Sequence, residues 1–259
     1  MDVLNFTENL KGFVLEIQEG CFLLWKALTN IFSTPFYLED LIEQLDSIGI
    51  GSLPVILLTS FFTGAVFALQ TIGVLKQYGT TATMGQLVAF TMIRELGPVL
   101  TALMFTGRVG AGIASELGGM VVSQQVDALR SLGTDYMKKL VTPRLLACLI
   151  SLPLLTAICD FVSIWSGYFL TWTEVNQSVH VYWQSVKDNL VFHDLYYSVV
   201  KAIVFAVVVA IVSCYQGIKT SGGTRGIGQS TTRSVVISSI FIITCDFFLT
   251  KGIGIIINS

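Results

Sequence analysis

Four charged residues interrupt long apolar stretches of the chain, where a charge is costly. Arg94 and Glu95 are neighbours within the stretch 84–107, and Lys201 and Asp246 lie inside two later stretches. A charge at the centre of a membrane helix costs about 2.5–3.5 kcal/mol, so such residues usually face a protein interior or a wet cavity and serve a function. Neighbours at i and i+1 point about 100° apart on a helix and neutralise each other poorly. We therefore expect their partners on other helices.

Depth along the apolar stretches predicts how these four residues pair. Counted from the outer ends at about 1.5 Å per residue, Arg94 and Asp246 lie at a similar depth of about 15–18 Å, and Lys201 is shallower. This predicts that Arg94 pairs with Asp246, and that Lys201 reaches down to Glu95. Together the four residues are the predicted intramembrane charge network.

The composition is that of a multi-span membrane protein. Of 259 residues, 53% are hydrophobic and 12% are charged, and the mean hydropathy is +0.73, which predicts an all-α integral membrane fold. A net charge of −2 gives no electrostatic case for nucleic acid binding. The five cysteines are scattered and favour packing over disulfide or metal roles. The sequence also carries no recognisable catalytic motif.

Five segments are long and apolar enough to cross a bilayer. They are 48–75, 84–107, 145–171, 196–218 and 235–257, and an outer segment, 172–195, is polar and aromatic. Lysine and arginine concentrate between the second and third spans and between the fourth and fifth. By the positive-inside rule those connections and the N-terminus are cytoplasmic, and the C-terminus is outside.

Residues 1–47 read as amphipathic helices that lie in the membrane interface, ahead of a spanning domain at 48–259. Apolar residues from Leu4 to Leu24 recur at helical spacing. A second amphipathic helix is predicted to start at Pro35. Acidic residues fall where a secretory signal needs a basic region and an uninterrupted apolar region.

Small residues line the cytoplasmic end of the second span and predict close helix contact. They form two rows at four-residue spacing: Gly107, Ala111 and Ser115, and beside them Gly110, Ala114 and Gly118. One interpretation is tight packing within one chain. The other is the seam of a homodimer.

A short amphipathic helix is predicted at 122–132, within the basic connection. Its apolar residues are Val122, Val126 and Leu129, and its polar ones are Gln124, Gln125, Asp127 and Arg130. Gly133 is placed to stop it. Such a helix could receive force from a soluble partner, with Val126 and Leu129 buried in that partner, or it could be a connector lying on the membrane surface.

The segment Gly223–Ser230 imitates a phosphate-binding loop. It reads G-x-x-x-x-G-Q-S, with glutamine where lysine should reach the phosphates. It also follows a predicted membrane span and lacks a Walker B strand. We interpret it as a tight cytoplasmic turn before the last span, with Thr231 or Thr232 as the helix cap.

Three segments carry a resemblance to a known family. The run 94–153, which begins RELGPVLTALMFTGRVGAG, the run 52–70, SLPVILLTSFFTGAVFALQ, and the run 221–236, SGGTRGIGQSTTRSVV, resemble MlaE-type permeases. These are membrane subunits of ABC transporters that move lipids between bilayers. The resemblance covers nearly the whole chain after about residue 48.

The resemblance implies partners and roles. The helix 124–132 would be a coupling helix that fits a cytosolic ATPase subunit, and ATP and Mg would be bound by that subunit, with no cofactor on this chain. Two permease copies would enclose a lipid cavity between their second and fifth spans, beside the intramembrane charges. The cavity would open to a periplasmic MCE-domain protein, and a small accessory cytosolic subunit could join the complex. The chain would lie in the bacterial inner membrane, with its C-terminus in the periplasm, and would help keep the lipid asymmetry of the outer membrane.

This chain departs from the family pattern at the coupling helix. The family usually has a basic residue near Val121 or Val122, an acidic one at position 124, and often a proline at position 136. Here those positions hold valines, Gln124 and Tyr136. These differences change which polar contacts the helix would make to the ATPase, and they leave the helix itself predicted.

Two other classes of function stay open on the sequence. A secondary transporter could use Glu95 or Asp246 as a proton relay, although paired repeats with broken helices are typical of that class. A structural membrane scaffold would have no need of four intramembrane charges. Co-purification of an ATPase and an MCE protein would favour the ABC permease over both.

Overall fold

The computed structural model describes residues 18–30 and 37–257. Within these ranges all regular structure is helical. The α-helices are α1 (18–30), α2 (Leu38–Ile48), α3 (Leu53–Tyr78), α4 (Met84–Thr91), α5 (Gly97–Phe105), α6 (Ala111–Val122), α7 (Gln125–Ser131), α8 (Thr142–Val175), α9 (Val179–Asn189), α10 (Phe192–Ile218) and α11 (Gly223–Ile257).

Five helical stretches are long and apolar enough to cross a membrane, which confirms the predicted all-α membrane fold. They are Leu38–Tyr78, Thr81–Val122, Met137–Val175, Phe192–Ile218 and Gly223–Gly252. Most run past the ends of the predicted apolar segments. A helix satisfies its backbone groups internally, so it can continue from lipid into the interface without a break.

Contacts at the two ends of the bundle show that the spans alternate in direction. At one end the Arg144 guanidinium, at the start of α8, lies 2.9 Å from Glu116 of α6. A Cβ on Gly118 of α6 would lie 2.8 Å from the Thr220 hydroxyl, just after α10. At the other end Gly85 of α4 packs against Tyr182 of α9. The connections holding α7 and Thr220 therefore share one side.

The helix of the second span contains two wider turns of π-helical pattern. They are Met92–Leu96, between α4 and α5, and Thr106–Gly110, between α5 and α6. Such turns in a helix often lie at functional sites. The first contains Arg94 and Glu95, so the helix is irregular at the place where it carries charge.

The predicted turn at Gly223–Ser230 is wrong in its extent. Positive φ angles occur at Gly222, 87°, and Gly223, 69°, and the helix α11 begins there. Thr231 and Thr232 are therefore inside the helix, where their hydroxyls bond to carbonyls four residues earlier, and neither is a cap. The glycines make the turn two residues long because only they adopt this backbone easily.

The predicted interfacial helices fall partly outside the described residues. Residues 1–17 and the predicted helix start at Pro35 lie outside them. Residues 18–30 form α1, and α2 begins at Leu38. A 3₁₀ turn, Ile50–Ser52, joins α2 to α3, and the Arg108 guanidinium holds this corner by donating to the Ser52 hydroxyl at 2.7 Å.

Candidate functional site: an intramembrane charge network

Lys201 lies at the centre of a cluster of polar groups from the second, fourth and fifth spans. Its side chain is 2% exposed, and its ammonium nitrogen lies 2.8 Å from Glu95 Oε2 and 2.9 Å from Asp246 Oδ1. It also donates to the Thr250 hydroxyl at 2.8 Å. A buried charge is stable only when it is paired and hydrogen-bonded. Two carboxylates and a hydroxyl meet that need here.

Pro98 shapes the backbone beside this cluster. Proline has no N–H, so the carbonyl of Arg94, four residues earlier, lacks its α-helical donor. The turn Met92–Leu96 widens to the π-helical pattern at this point. The Arg94 carbonyl accepts a hydrogen bond from Lys201 Nζ at 2.9 Å. The proline therefore frees a backbone acceptor for the buried ammonium.

The Arg94 side chain is held by Asp194, at the outer end of the fourth span. Arg94 Nε donates to Asp194 Oδ1 at 2.6 Å, and its guanidinium lies 4.2 Å from the centre of the Phe90 ring. The other carboxylate oxygen accepts the Val191 N–H at 3.1 Å. Asp194 therefore binds the guanidinium and also satisfies a backbone donor at the start of α10.

The predicted pair of Arg94 with Asp246 is wrong. Arg94 pairs with Asp194 and Asp246 pairs with Lys201, whereas the predicted contact of Lys201 with Glu95 is present. Asp194 and Lys201 are seven residues apart on α10, so they lie two turns apart on one face. The helix α10 thus supplies one ion-pair partner to Arg94 and another to its neighbour Glu95. Their seven-residue spacing is the signal that sequence analysis overlooked.

Asp160 of the third span is a further buried carboxylate that sequence analysis did not single out. It is 5% exposed and accepts a hydrogen bond from the Ser198 hydroxyl at 2.9 Å. Ser198 lies one turn before Lys201 on α10, so Asp160 sits behind the charge network. A Cβ on Gly97 would collide with the Asp160 carboxylate, which explains the glycine. A charge within the apolar segment 145–171 was the available signal.

The fifth span, which carries Asp246, packs against α10 and α6 on one side and is exposed over most of its remaining surface. In its most apolar window 11% of the residues are buried, against 50% in that of the fourth span. Exposed apolar side chains recur on one face at helical spacing: Val236, Ile240, Ile243 and Phe247. A large apolar face of this kind marks a contact with lipid or protein. The charge network therefore borders a surface that other molecules can cover.

The predicted coupling-helix residues lie on α7 and just before it. Gln124, Gln125, Asp127 and Arg130 are exposed. Val126 is 3% exposed, and Leu129 is half-buried beside the same core cluster. The prediction that Val126 and Leu129 are buried in a partner is therefore wrong for Val126, which the chain's own core covers. Leu129 lines an open groove together with Leu132, and for it the prediction stays untested.

An exposed leucine lies at the C-terminal end of α7, on the side that faces away from the bundle. Leu132 is 79% exposed and directly follows α7. Gly133, with a φ angle of 74°, ends the helix as predicted; its N–H bonds to the Arg130 carbonyl at 3.0 Å. Arg130 also lies 4.4 Å from the centre of the Tyr136 ring. Polar side chains and the large apolar side chain of Leu132 thus face away from the membrane domain.

The two rows of small residues have different surroundings. A Cβ on Gly110 would lie 3.0 Å from the Ser213 hydroxyl of α10, and Ala114 is fully buried. That row packs within the chain. In the other row a Cβ on Gly107 would meet no described atom within 4 Å, and Ser115 is exposed. Within the described chain, Gly107, Ala111 and Ser115 are therefore the part of the predicted seam that a second copy could reach.

Five membrane-crossing helices, an ion-paired cluster inside them and an exposed amphipathic helix between the second and third spans define a multi-pass membrane transport protein. The family described as Permease MlaE matches residues 41–251. This chain belongs to that family, and its class is the permease of an ABC transporter.

Relatives from distant organisms extend over nearly the same length. A probable ABC transporter permease protein of Rickettsia bellii is 40% identical over 225 residues, which cover 87% of each chain. The intermembrane phospholipid transport system permease protein MlaE of Haemophilus influenzae is 33% identical over 255 residues, 96% of this chain and 97% of that one. The chloroplastic protein TRIGALACTOSYLDIACYLGLYCEROL 1 of Arabidopsis thaliana is 35% identical over 226 residues, 87% of this chain and 65% of that one.

Proposed function

We propose that this permease moves phospholipids between the bacterial inner membrane and a periplasmic MCE-domain carrier, on the way toward or from the outer membrane. The substrate class is supported by the name of the Haemophilus relative. One observation of this chain carries the proposal: an ion-paired cluster lies among the apolar spans directly beside the exposed apolar face of α11. A phospholipid has a polar headgroup and apolar tails. The charge network could contact the headgroup, and the apolar face of α11 could contact the tails.

Two copies of the chain would enclose the lipid path. In one copy the apolar face of α11 is exposed, and in the open row Gly107 and Ser115 are exposed and Ala111 is half-buried. Small residues permit close helix approach in lipid, and large apolar residues fill the remaining contact. A homodimer would cover these surfaces and place Arg94, Glu95, Lys201 and Asp246 beside the cavity between the copies.

A separate cytosolic ATPase subunit, which binds ATP and Mg, would drive the transport. Its docking surface would be the outward side of α7, with the polar residues Gln124, Gln125, Asp127 and Arg130 around the exposed Leu132. An apolar centre within a polar rim is the usual anatomy of a protein–protein interface. A small accessory cytosolic subunit could join the ATPase. This permease chain itself would perform no hydrolysis.

The orientation follows from charge. The connection with Arg130, Lys138 and Lys139 and the connection with Lys219 and Arg225 are basic. By the positive-inside rule both face the cytoplasm, together with the N-terminus. The C-terminus and the helix α9 then face the periplasm, where the MCE-domain protein would collect or deliver lipid.

The test is reconstitution of the chain with its ATPase and MCE-domain partners in vesicles that contain a fluorescent phospholipid. We expect lipid transfer that requires ATP. Leu132→Asp places a carboxylate where docking would desolvate it, so it should abolish ATPase co-purification and lipid transfer together while membrane insertion stays normal.

A matched control is Phe192→Asp, which charges an equally exposed apolar side chain on the outer side. It should retain the ATPase. Lipid transfer that continues without ATP would favour a proton-driven carrier. Normal ATPase binding by Leu132→Asp would show that α7 is a surface connector, and either result would overturn the corresponding part of the proposal.

A further inference from the structure

The helix α1 contacts two separate parts of the cytoplasmic side. Near its N-terminal end Glu19 Oε2 accepts a hydrogen bond from the Tyr215 hydroxyl at 2.7 Å, and Lys219 Nζ lies 3.3 Å from it. Two turns later Lys26 Nζ lies 3.1 Å from Asp135 Oδ2. Tyr215 is in the last turn of α10, and Asp135 follows α7. One helix therefore links the segment after the coupling helix to the end of the fourth span.

The middle of α1 is anchored by apolar burial. Leu23 is 4% exposed and Ala27 is fully buried, both in the largest apolar cluster of the chain. On the opposite side Phe22 is 62% exposed and Trp25 is 69% exposed, as suits residues at a membrane interface. The helix is therefore held on one face by protein and faces lipid on the other.

The polar contacts at its ends are too exposed to hold α1 by themselves. Lys26 and Asp135 are each 37% exposed, and exposed ion pairs contribute little stability. Hydrogen bonds from Tyr215 and Lys219 lower the pKa of Glu19, so this carboxylate stays ionised. The contacts therefore set the position of α1, while the buried Leu23 and Ala27 hold it on the bundle.

A third side of α1 is not packed against the fifth span. An open groove of about 480 Å³ lies between α1, α10 and α11. Its lining is apolar and includes Leu24, Ile211 and Phe241. Because the groove separates α1 from α11, α1 can shift with its two polar contacts without breaking a packed interface on that side.

We propose that α1 is a positioning element that transmits displacement of the coupling helix to the cytoplasmic end of α10, through Lys26–Asp135 at one end and Glu19–Tyr215–Lys219 at the other. This inference rests on the proposed function, because the displacement is that caused by an ATP-driven partner. The same helix α10 carries Asp194, Ser198 and Lys201 further along its length. Movement of its cytoplasmic end therefore reaches the charge network as a rigid-body shift.

The test uses the full reconstituted complex and measures lipid transferred per ATP hydrolysed. Lys26→Glu reverses one member of the pair with Asp135, and we expect that ratio to fall about two- to fivefold, the scale of one exposed ion pair. ATPase co-purification and the unfolding temperature should stay unchanged. The exchanged pair, Lys26→Glu with Asp135→Lys, should restore the ratio, which a merely structural role would not require.

The matched control is Glu43→Lys on α2. Glu43 is an exposed carboxylate that forms no ion pair among the described residues, so its reversal should leave the ratio unchanged. A normal ratio in Lys26→Glu, or no recovery in the exchanged pair, would overturn the role of α1. Absence of ATP-driven transfer in the wild-type complex would instead overturn the proposed function, so the two failures are distinguishable.

Discussion

Ion pairs occur at two depths in this molecule, and their surroundings differ sharply. In the charge network one member of each pair is buried: Lys201 and Asp194 are each 2% exposed, whereas their partners Glu95 and Arg94 are 41% and 35% exposed. At the end of the bundle that carries α7, Asp127 and Arg130 are 70% and 51% exposed. The same chemical groups therefore act under different electrostatics, because both members of the second set are open to solvent, whereas each pair of the first set has one member that solvent hardly reaches. The comparison indicates that pairs with a buried member stabilise the arrangement of the spans. The exposed pairs contribute little to that arrangement and lie in the connections between spans.

The largest effect should come from removing the central cation. Lys201→Met keeps the unbranched apolar part of the side chain but removes the ammonium, and so leaves Glu95 and Asp246 without their partner. Loss of one member of a buried pair costs about 3–5 kcal/mol, and we expect a loss of this size in the free energy of unfolding in mild detergent. Adding Glu95→Gln and Asp246→Asn should recover most of it. A single variant as stable as the wild type would show that the network is hydrated.

A double-mutant cycle tests the next pair and separates two pairings of Arg94. Arg94→Gln and Asp194→Asn should each destabilise the fold, and the double variant should lose less than their sum by about 1–3 kcal/mol, because contacting residues are coupled. The matched cycle of Arg94→Gln with Asp246→Asn should be nearly additive. Strong coupling in the second cycle and none in the first would reinstate the pairing predicted from depth.

The smallest effect should come from an exposed pair. Asp127 lies 3.4 Å from Arg130, three residues later on α7. Asp127→Asn should change the free energy of unfolding by less than about 0.5 kcal/mol, since exposed ion pairs contribute little. Asp194→Asn is the same isosteric change at a buried site and serves as the comparison. Equal losses in the two variants would contradict the distinction between the two sets.

The arrangement of the coupling region shows where sequence patterns lose their meaning. The alternation of Val126 and Leu129 with polar residues predicts a helix with one apolar face, and α7 has that face. The pattern does not say what covers it. Here the core covers Val126, whereas Leu129 lines an open groove. The most exposed apolar residue of this region, Leu132, lies outside the regular pattern.

The small residues give the same lesson about packing. Both rows have the spacing that permits close contact, and the sequence treats them alike. The structure separates them, because Gly110 and Ala114 face α10 while Gly107 and Ser115 face outward. Which side of a helix meets its neighbour depends on the rotation of the whole helix, and spacing alone does not contain that rotation.

The sequence by itself determined the five spans, the helical class and the presence of charges within the membrane, because apolar length and helical periodicity are local properties. Tertiary structure decided which charged residues form ion pairs with one another. Arg94 pairs with Asp194, and Glu95 with Lys201, because α10 presents two charged residues on one face to the wider turn that carries Arg94 and Glu95. Pairing depends on the axial shift and rotation of one helix against another, and these are set by packing across the whole bundle.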